Sequence, residues 1–287
     1  DLAKVQVPAY YPDNPTIRGD LADYAIEVEW YDRHIGLALQ QLEQRSLLEN
    51  TIIIATSDHG MPFPRVKGQI YDDGFHVPLA VRRGARILPQ RTVTDFVSFP
   101  DVAPTLMDIA GIPIHPQMTG KSFKFQLLSA KSGRVDLERD HALLGKERHD
   151  IGRTDGDRLS VSYPSRAIRT DDYLYVYNFK PNRWPGGDPQ YGLLNCDSSP
   201  TKTYLQSILT SDTEYRFYEM SFGKRPKEEL FDVVNDPDCI HNLAEDPHHK
   251  NTKNRLWAQL KQELTSQEDP RILGQGDIFD FYPNCRI

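Results

Sequence analysis

The run Thr51-Ile52-Ile53-Ile54-Ala55-Thr56 is β-branched or apolar throughout, and it stops abruptly at Ser57-Asp58-His59-Gly60. Continuous apolar character, with no polar alternation, means that both faces of the segment are covered. That is the pattern of a central strand in a parallel sheet flanked by helices. The polar tetrapeptide then falls at the carboxyl end of the strand, the edge where open α/β sheets bind their ligands. The run is also far below the ~18–20 apolar residues of a membrane span. No longer run occurs, so no bilayer crossing is expected.

Neighbouring segments supply the helices such a strand requires. Gly19-Asp20 offers a cap to a helix running to about Gln44, with Ala25, Val28, Ile35, Leu39 and Leu42 spaced as one apolar face. A second short strand is expected over Val77–Arg82. A helix follows from Pro100-Asp101 to Ala110, with Gly111 positioned to end it and Pro113 to enforce the stop. Residues 117–139 read as loop. From Ala142 the texture changes to short strands at Ala142–Leu144, Arg166–Arg169 and Tyr173–Tyr177. After a Gly/Pro/Asn loop over 181–200, a helix from Asn251 to Gln267 carries Leu256, Leu260 and Leu264 on one stripe. Two regions are expected: residues 1–130, belonging to an α/β domain, and residues 131–287, a smaller α+β subdomain with antiparallel strands and a terminal helix.

The formal charge of −7 over 287 residues provides no basic field for nucleic acid or anionic lipid. An anionic substrate must therefore be held by a local basic site. Cys196, Cys239 and Cys285 are odd in number and far apart, so they form neither a disulfide framework nor a CxxC metal pair. The chain starts at Asp1 with no leader-like segment, which reads as a processed or truncated start.

Asp58 and His59 together bring one hard oxygen and one ligating nitrogen, half of a divalent cation site. Taken alone, an Asp-His-Gly turn after a strand is more often a simple Asx-type turn than a functional cluster. The continuation Pro62-Phe63-Pro64-Arg65-Val66-Lys67 adds two cations on the same loop, a place to bind a tetrahedral oxyanion.

Ile53 to Gly60, followed by Lys67, Tyr71 and Val77-Pro78-Leu79, resembles the formylglycine-dependent sulfatases of the alkaline-phosphatase-like superfamily, and Pro62-Phe63-Pro64 is most similar to their sulfamidase (heparan N-sulfatase) branch. Pro100–Leu106 with Ala110–Pro113, and Glu229–Asp232 with Asp236-Pro237 and Asn242–Ala244, follow in that family's order. The resemblance implies an alkaline-phosphatase-like sheet with flanking helices, here incomplete, and one calcium site with Asp58 and His59 as two ligands. It implies that Lys67 contacts the sulfate, with Arg65 and Arg148 as weaker substrate-side candidates and His149 as an active-site histidine. It further implies hydrolysis of sulfate esters or sulfamates on a sulfated, heparan-like glycan, and export to the periplasm, the lysosome or outside the cell.

The family's nucleophile, a Cys or Ser in a (Cys/Ser)-x-Pro-x-Arg motif, is not found ahead of Asp58, and neither is the aspartate pair that completes the metal site. Ser162-Tyr163-Pro164-Ser165-Arg166 fits the pattern literally but lies after the metal strand and lacks the Thr-Gly that should follow; it reads as a decoy. The chain is therefore expected to be the C-terminal part of such an enzyme, inactive alone and partnered by a complementary N-terminal fragment. The alternatives are a phosphodiesterase or phosphomutase of the same superfamily, and a non-catalytic glycan-binding relative.

Overall fold

The computed structural model describes residues 1–149 and 152–283; Cys285 lies outside them. The chain forms two compact units that interleave along the sequence. Unit 1 comprises Asp1–Val28, Asp58–Val77 and Leu144–Ile287, and unit 2 comprises Glu29–Ser57 and Pro78–Leu143. The chain thus changes unit four times and not once near residue 130. The physical reason is the core: Ile70, Tyr71 and Phe75 of the 58–77 loop pack with Ala167, Leu174, Val176 and Phe231 of the C-terminal strands.

Helix α1 (Pro15–Gln44) begins ahead of the expected Asp20 cap. Asn14 Oδ1 accepts from the Ile17 amide at 3.1 Å and Pro15 opens the first turn with its φ preset, a stronger start signal than Gly19-Asp20. Its first turns bury Ile17 and Leu21, while Ile35, Leu39 and Leu42 of the expected stripe are half-buried and Ala25 and Val28 are exposed.

Strand β1 (Ile53–Thr56) is the expected apolar run, but its pairing corrects the parallel-sheet expectation. Past the loop that holds the single-turn α2 (Asp72–Phe75), β2 (Leu79–Arg82) pairs with β1 antiparallel, Ile53 opposite Arg82 and Thr56 opposite Leu79. All four β1 residues are half-buried. A continuous apolar run specifies covered faces, not strand direction, and here the chain re-enters unit 2 running the other way.

Helix α3 (Val102–Ala110) ends as the sequence requires, at Gly111 with φ 71°. The loop-like stretch after it contains one short helix, α4 (Lys124–Leu128). Polar contacts dominate unit 2: Arg139 pairs with Asp101 at 2.9 Å, and Asp95 accepts from the amides of Val135 and Asp136 at 2.7 and 2.8 Å. Among the described residues, Ile87, Pro104 and Phe123 are its buried apolar side chains, whereas Trp30, Tyr31, Leu37, Leu106, Ile112 and Phe125 stand exposed.

Unit 1 is built differently. Strand β3 (His141–Lys146) leads to the small hairpin β4 (Thr154–Asp155) and β5 (Arg158–Leu159), and then to β6 (Ser165–Thr170) and β7 (Tyr173–Asn178). Helices α5 (Pro200–Ser207) and α6 (Tyr215–Phe222) precede β8 (Glu228–Asp232), and α7 (Lys250–Ser266) follows it. The sheet order is β3-β6-β7-β8, with β6/β7 and β7/β8 antiparallel. Helix α7 buries Leu256, Leu260 and Leu264, as their i, i+4, i+8 spacing requires. Helix α5 was hidden in the sequence, although Ser199 accepting from the Lys202 amide, with Pro200 behind it, is an ordinary start signal. A polar cavity of about 10 Å³, room for about one water, is lined by Tyr163, Ser165 and Arg225, whose Oη, Oγ and Nε are otherwise unpaired.

Cys196 and Cys239 are both buried. Burial pushes the Cys239 thiol up to about 12, which leaves almost no thiolate at neutral pH. Native protein should therefore leave Cys239 unalkylated by iodoacetamide at pH 8, with full labelling after denaturation. Peptide mapping that showed rapid native labelling would contradict this burial.

Candidate functional site

The loop over 58–77 carries Asp58, His59, Arg65 and Lys67, and its path is set by close backbone packing. Gly60 N–H donates to Gly74 O at 3.1 Å. A Cβ on Gly60 would stand 1.7 Å from Asp73 O, and one on Gly74 would stand 2.6 Å from the carbonyls of both Val66 and Gln69. Glycine is thus required at both ends of the loop by the space available.

At its start, Asp58 is 86 % exposed and its Oδ2 lies 3.7 Å from His59 Nε2. His59 Nδ1 is 2.7 Å from Gly60 O. A carbonyl only accepts, so Nδ1 carries the proton, and in a neutral ring Nε2 turns its lone pair toward the Asp58 side. Two lone-pair donors side by side fit part of a cation's shell. They do not complete one: calcium takes six to eight, mainly oxygen, ligands, and no group of three or more His, Cys, Asp or Glu side chains converges among the described residues.

Arg65 and Lys67 part company. Arg65 has φ 66°, in the left-handed region, and its side chain is buried. It donates to Met220 O at 2.9 Å and to Cys239 O, and it lies 4.2 Å over the Tyr71 ring. These contacts offset the cost of the backbone conformation and direct the guanidinium into the core, away from a substrate-facing role. Tyr71 in turn donates to the buried Glu229 at 2.8 Å, and burial holds its phenol well above the ordinary value.

Lys67 sits at the surface of the same loop, 19 % exposed, with its Nζ 2.6 Å from Asp197 Oδ2. Its carbonyl accepts from Asn195 Nδ2 at 2.9 Å. Next to it, Gly68 adopts φ 67°, and a Cβ there would lie 2.6 Å from Asn195 Nδ2 and 3.0 Å from His149 Nδ1. The exposed His149, far from this loop in the chain, thus has its Nδ1 beside Gly68, the residue that follows Lys67. The segment leading to His149 is held firmly: Glu147 accepts from Arg271 at 2.8 Å and from Arg166 at 2.9 Å. Arg148 donates to Ser160 O and Tyr282 O, at 3.3 and 2.8 Å, so its contacts run to the C-terminal tail.

Ser162, the serine that fits the nucleophile pattern, is fully buried, and its Oγ donates to Asp280 at 2.6 Å. Asn195 and Asp197 were not legible as site residues. Their partner Lys67 is more than a hundred positions away, and nothing local in a Gly/Pro/Asn loop marks them.

The family model for sulfatases matches residues 4–112. An ulvan-active sulfatase of Formosa agariphila is 30 % identical over 281 residues, covering 96 % of this chain and 43 % of the relative. The chain thus carries a sulfatase-family domain over residues 4–112. Human N-sulphoglucosamine sulphohydrolase is 27 % identical over 294 residues, covering 100 % of this chain and 56 % of that protein. The chain thus spans about half the length of the curated relatives it matches. A structure solved in complex with its substrate D-glucosamine-2-N,6-O-disulfate superimposes with a TM-score of 0.60 at 19 % identity, over 88 % of this chain and 42 % of that one. The fold is accordingly the mixed α/β fold of these sulfatase structures, matched over about half of their length. No helix among the described residues is long and apolar enough to cross a membrane.

Proposed function

We propose that this chain forms the C-terminal part of a sulfatase that hydrolyses sulfate esters or sulfamates on a sulfated, heparan-like glycan, and that Lys67 and His149 face the sulfate. The observation that carries this reading is that His149 Nδ1 lies beside Gly68, next in the chain to Lys67, on the loop that also presents Asp58 and His59. A relative that acts on N-sulphoglucosamine and a neighbour bound to a sulfated glucosamine support the substrate class.

In this reading each residue has a separate task. The Lys67 ammonium neutralises charge growing on the sulfuryl oxygens as the S–O or S–N bond breaks, where a fixed cation in a partly desolvated site is worth most. His149 is assigned the leaving atom, which its imidazole would hydrogen-bond and give a proton. Asp58 and His59 would hold part of a calcium shell, and the bound ion would supply Lewis-acid polarisation of a sulfate oxygen. The remaining ligands and the nucleophile are assigned to a complementary N-terminal sulfatase segment. The exposed Trp30, Ile112 and Phe125 of unit 2 support that assignment, because a unit with so little buried apolar surface lacks a covering layer. Export follows as the family's habit.

Fusing the N-terminal half of a sulfatase relative ahead of this chain should produce hydrolysis of N-sulfated glucosamine. Lys67→Ala in that fusion should lower kcat/KM by about 10²-fold or more, equivalent to ~3 kcal/mol of lost transition-state stabilisation. Turnover by the unfused chain at the fusion's rate would sink the two-part assignment, and an unaffected Lys67→Ala would sink the role of Lys67.

A further inference from the structure

The turn Asn195-Cys196-Asp197 grips Lys67 at two points. Asn195, almost wholly buried, donates to the Lys67 carbonyl, and Asp197 accepts from its ammonium. The main chain of the turn is itself pinned, since Lys202 Nζ donates to Cys196 O at 3.2 Å and Ser199 caps the helix that follows. The two charges of the pair differ in freedom. Lys67 is 19 % exposed and Asp197 is 59 % exposed, so the carboxylate has solvent to swing into while the ammonium stays within the loop.

We propose that Asp197 is the exchangeable counter-ion of Lys67, a positioning residue that aims the ammonium when no anion is bound and gives way to a tetrahedral oxyanion when one arrives. The inference rests on the reading of Lys67 as the sulfate contact and adds what sets its affinity. A carboxylate oxygen at 2.6 Å occupies the place next to Nζ that a sulfate oxygen needs, so the incoming anion competes with it. A partly exposed pair of this kind is weak, which makes it displaceable and still strong enough to lower anion affinity several-fold. Asn195 has a different part: its grip on the backbone keeps the ammonium in place after Asp197 leaves.

The test is titration of the chain with inorganic sulfate, followed through the backbone amide of Gly68 by NMR at low and moderate salt. Asp197→Asn should bind sulfate about three- to fivefold more tightly than wild type at low salt, with a smaller gain at higher ionic strength. Asp197→Glu, which keeps the charge, should stay near wild type. Lys67→Ala should abolish the response. If Asp197→Asn binds no tighter while Lys67→Ala loses binding, the counter-ion role is overturned and Lys67 keeps its own. If Lys67→Ala binds like wild type, or if sulfate leaves Gly68 unmoved in every variant, the reading of Lys67 falls and the counter-ion role with it. A turn of merely structural importance would give weaker binding in Asp197→Asn, the opposite sign.

Discussion

Gly60→Ala is expected to cost about 3 kcal/mol or more of stability and to disorder the loop that presents Asp58, His59 and Lys67. The new Cβ would lie 1.7 Å from Asp73 O, 2.8 Å from its carbonyl carbon and 2.9 Å from Val66 Cγ1. Two of these are backbone atoms, which cannot rotate aside as a flexible side chain would, so the main chain itself must move. The movement would break the Gly60-to-Gly74 hydrogen bond that closes the loop. Gly19→Ala is the matched control: it lies within α1 with nothing within 4 Å of the added carbon. It should stabilise the protein by about 0.5–1 kcal/mol through the lower entropy of the unfolded chain. Urea denaturation of the two variants decides the matter, and a loss below ~1 kcal/mol for Gly60→Ala would show that the loop tolerates a side chain there.

Asp280→Ala should be the other large effect, a loss of about 3 kcal/mol. This carboxylate, only 1 % exposed, ties the C-terminal tail to the body of unit 1. It accepts from the Ser162 amide at 2.8 Å, from Ser162 Oγ at 2.6 Å and from Arg183 Nη2 at 2.8 Å. Its removal leaves a buried amide and hydroxyl without an acceptor and leaves Arg183 with one carboxylate partner, Asp155 at 2.6 Å, beside the Ser162 carbonyl at 2.9 Å. Hydrogen exchange should then quicken across residues 276–283, and Arg148 should lose its carbonyl partner at Tyr282. Tail amides as protected as in wild type would refute the latch.

Acid should do the same by another route. Burial alone would raise the Asp280 carboxyl, but hydrogen bonds from Arg183 and Ser162 and the guanidinium charge outweigh it and hold the group below the usual carboxylate range. A group depressed in the folded state contributes stability that is present above its unfolded pKa of about 4 and is lost as pH falls through the folded value. The wild-type and Asp280→Ala stability curves should therefore converge below about pH 4.

How much of this was written in the sequence differs from residue to residue. The apolar run ending in Asp58-His59-Gly60, the stop of α3 at Gly111 and the buried stripe of α7 were all legible, because each depends on a period or a cap that lies within a few residues. The same holds for the Lys67 motif, which carries its glycines and prolines with it. Arg65 was misread by the same local logic: two cations on one loop suggested a shared anion site, while one of them is sealed in the core under Met220 and Cys239. Which way a loop side chain turns depends on what packs against the loop, and those residues lie 155 and 174 positions away.

Sequence by itself determined the family, the local elements and the order of the motifs, since these follow from spacing, caps and residue chemistry along a short stretch of chain. Tertiary structure decided that β1 pairs antiparallel with β2, that the 58–77 loop belongs with the C-terminal sheet, and that Asn195, Asp197 and His149 close around Lys67 and Gly68. These are contacts between segments far apart in the chain, selected by which apolar faces bury together and which polar groups then find partners. No local period encodes that selection.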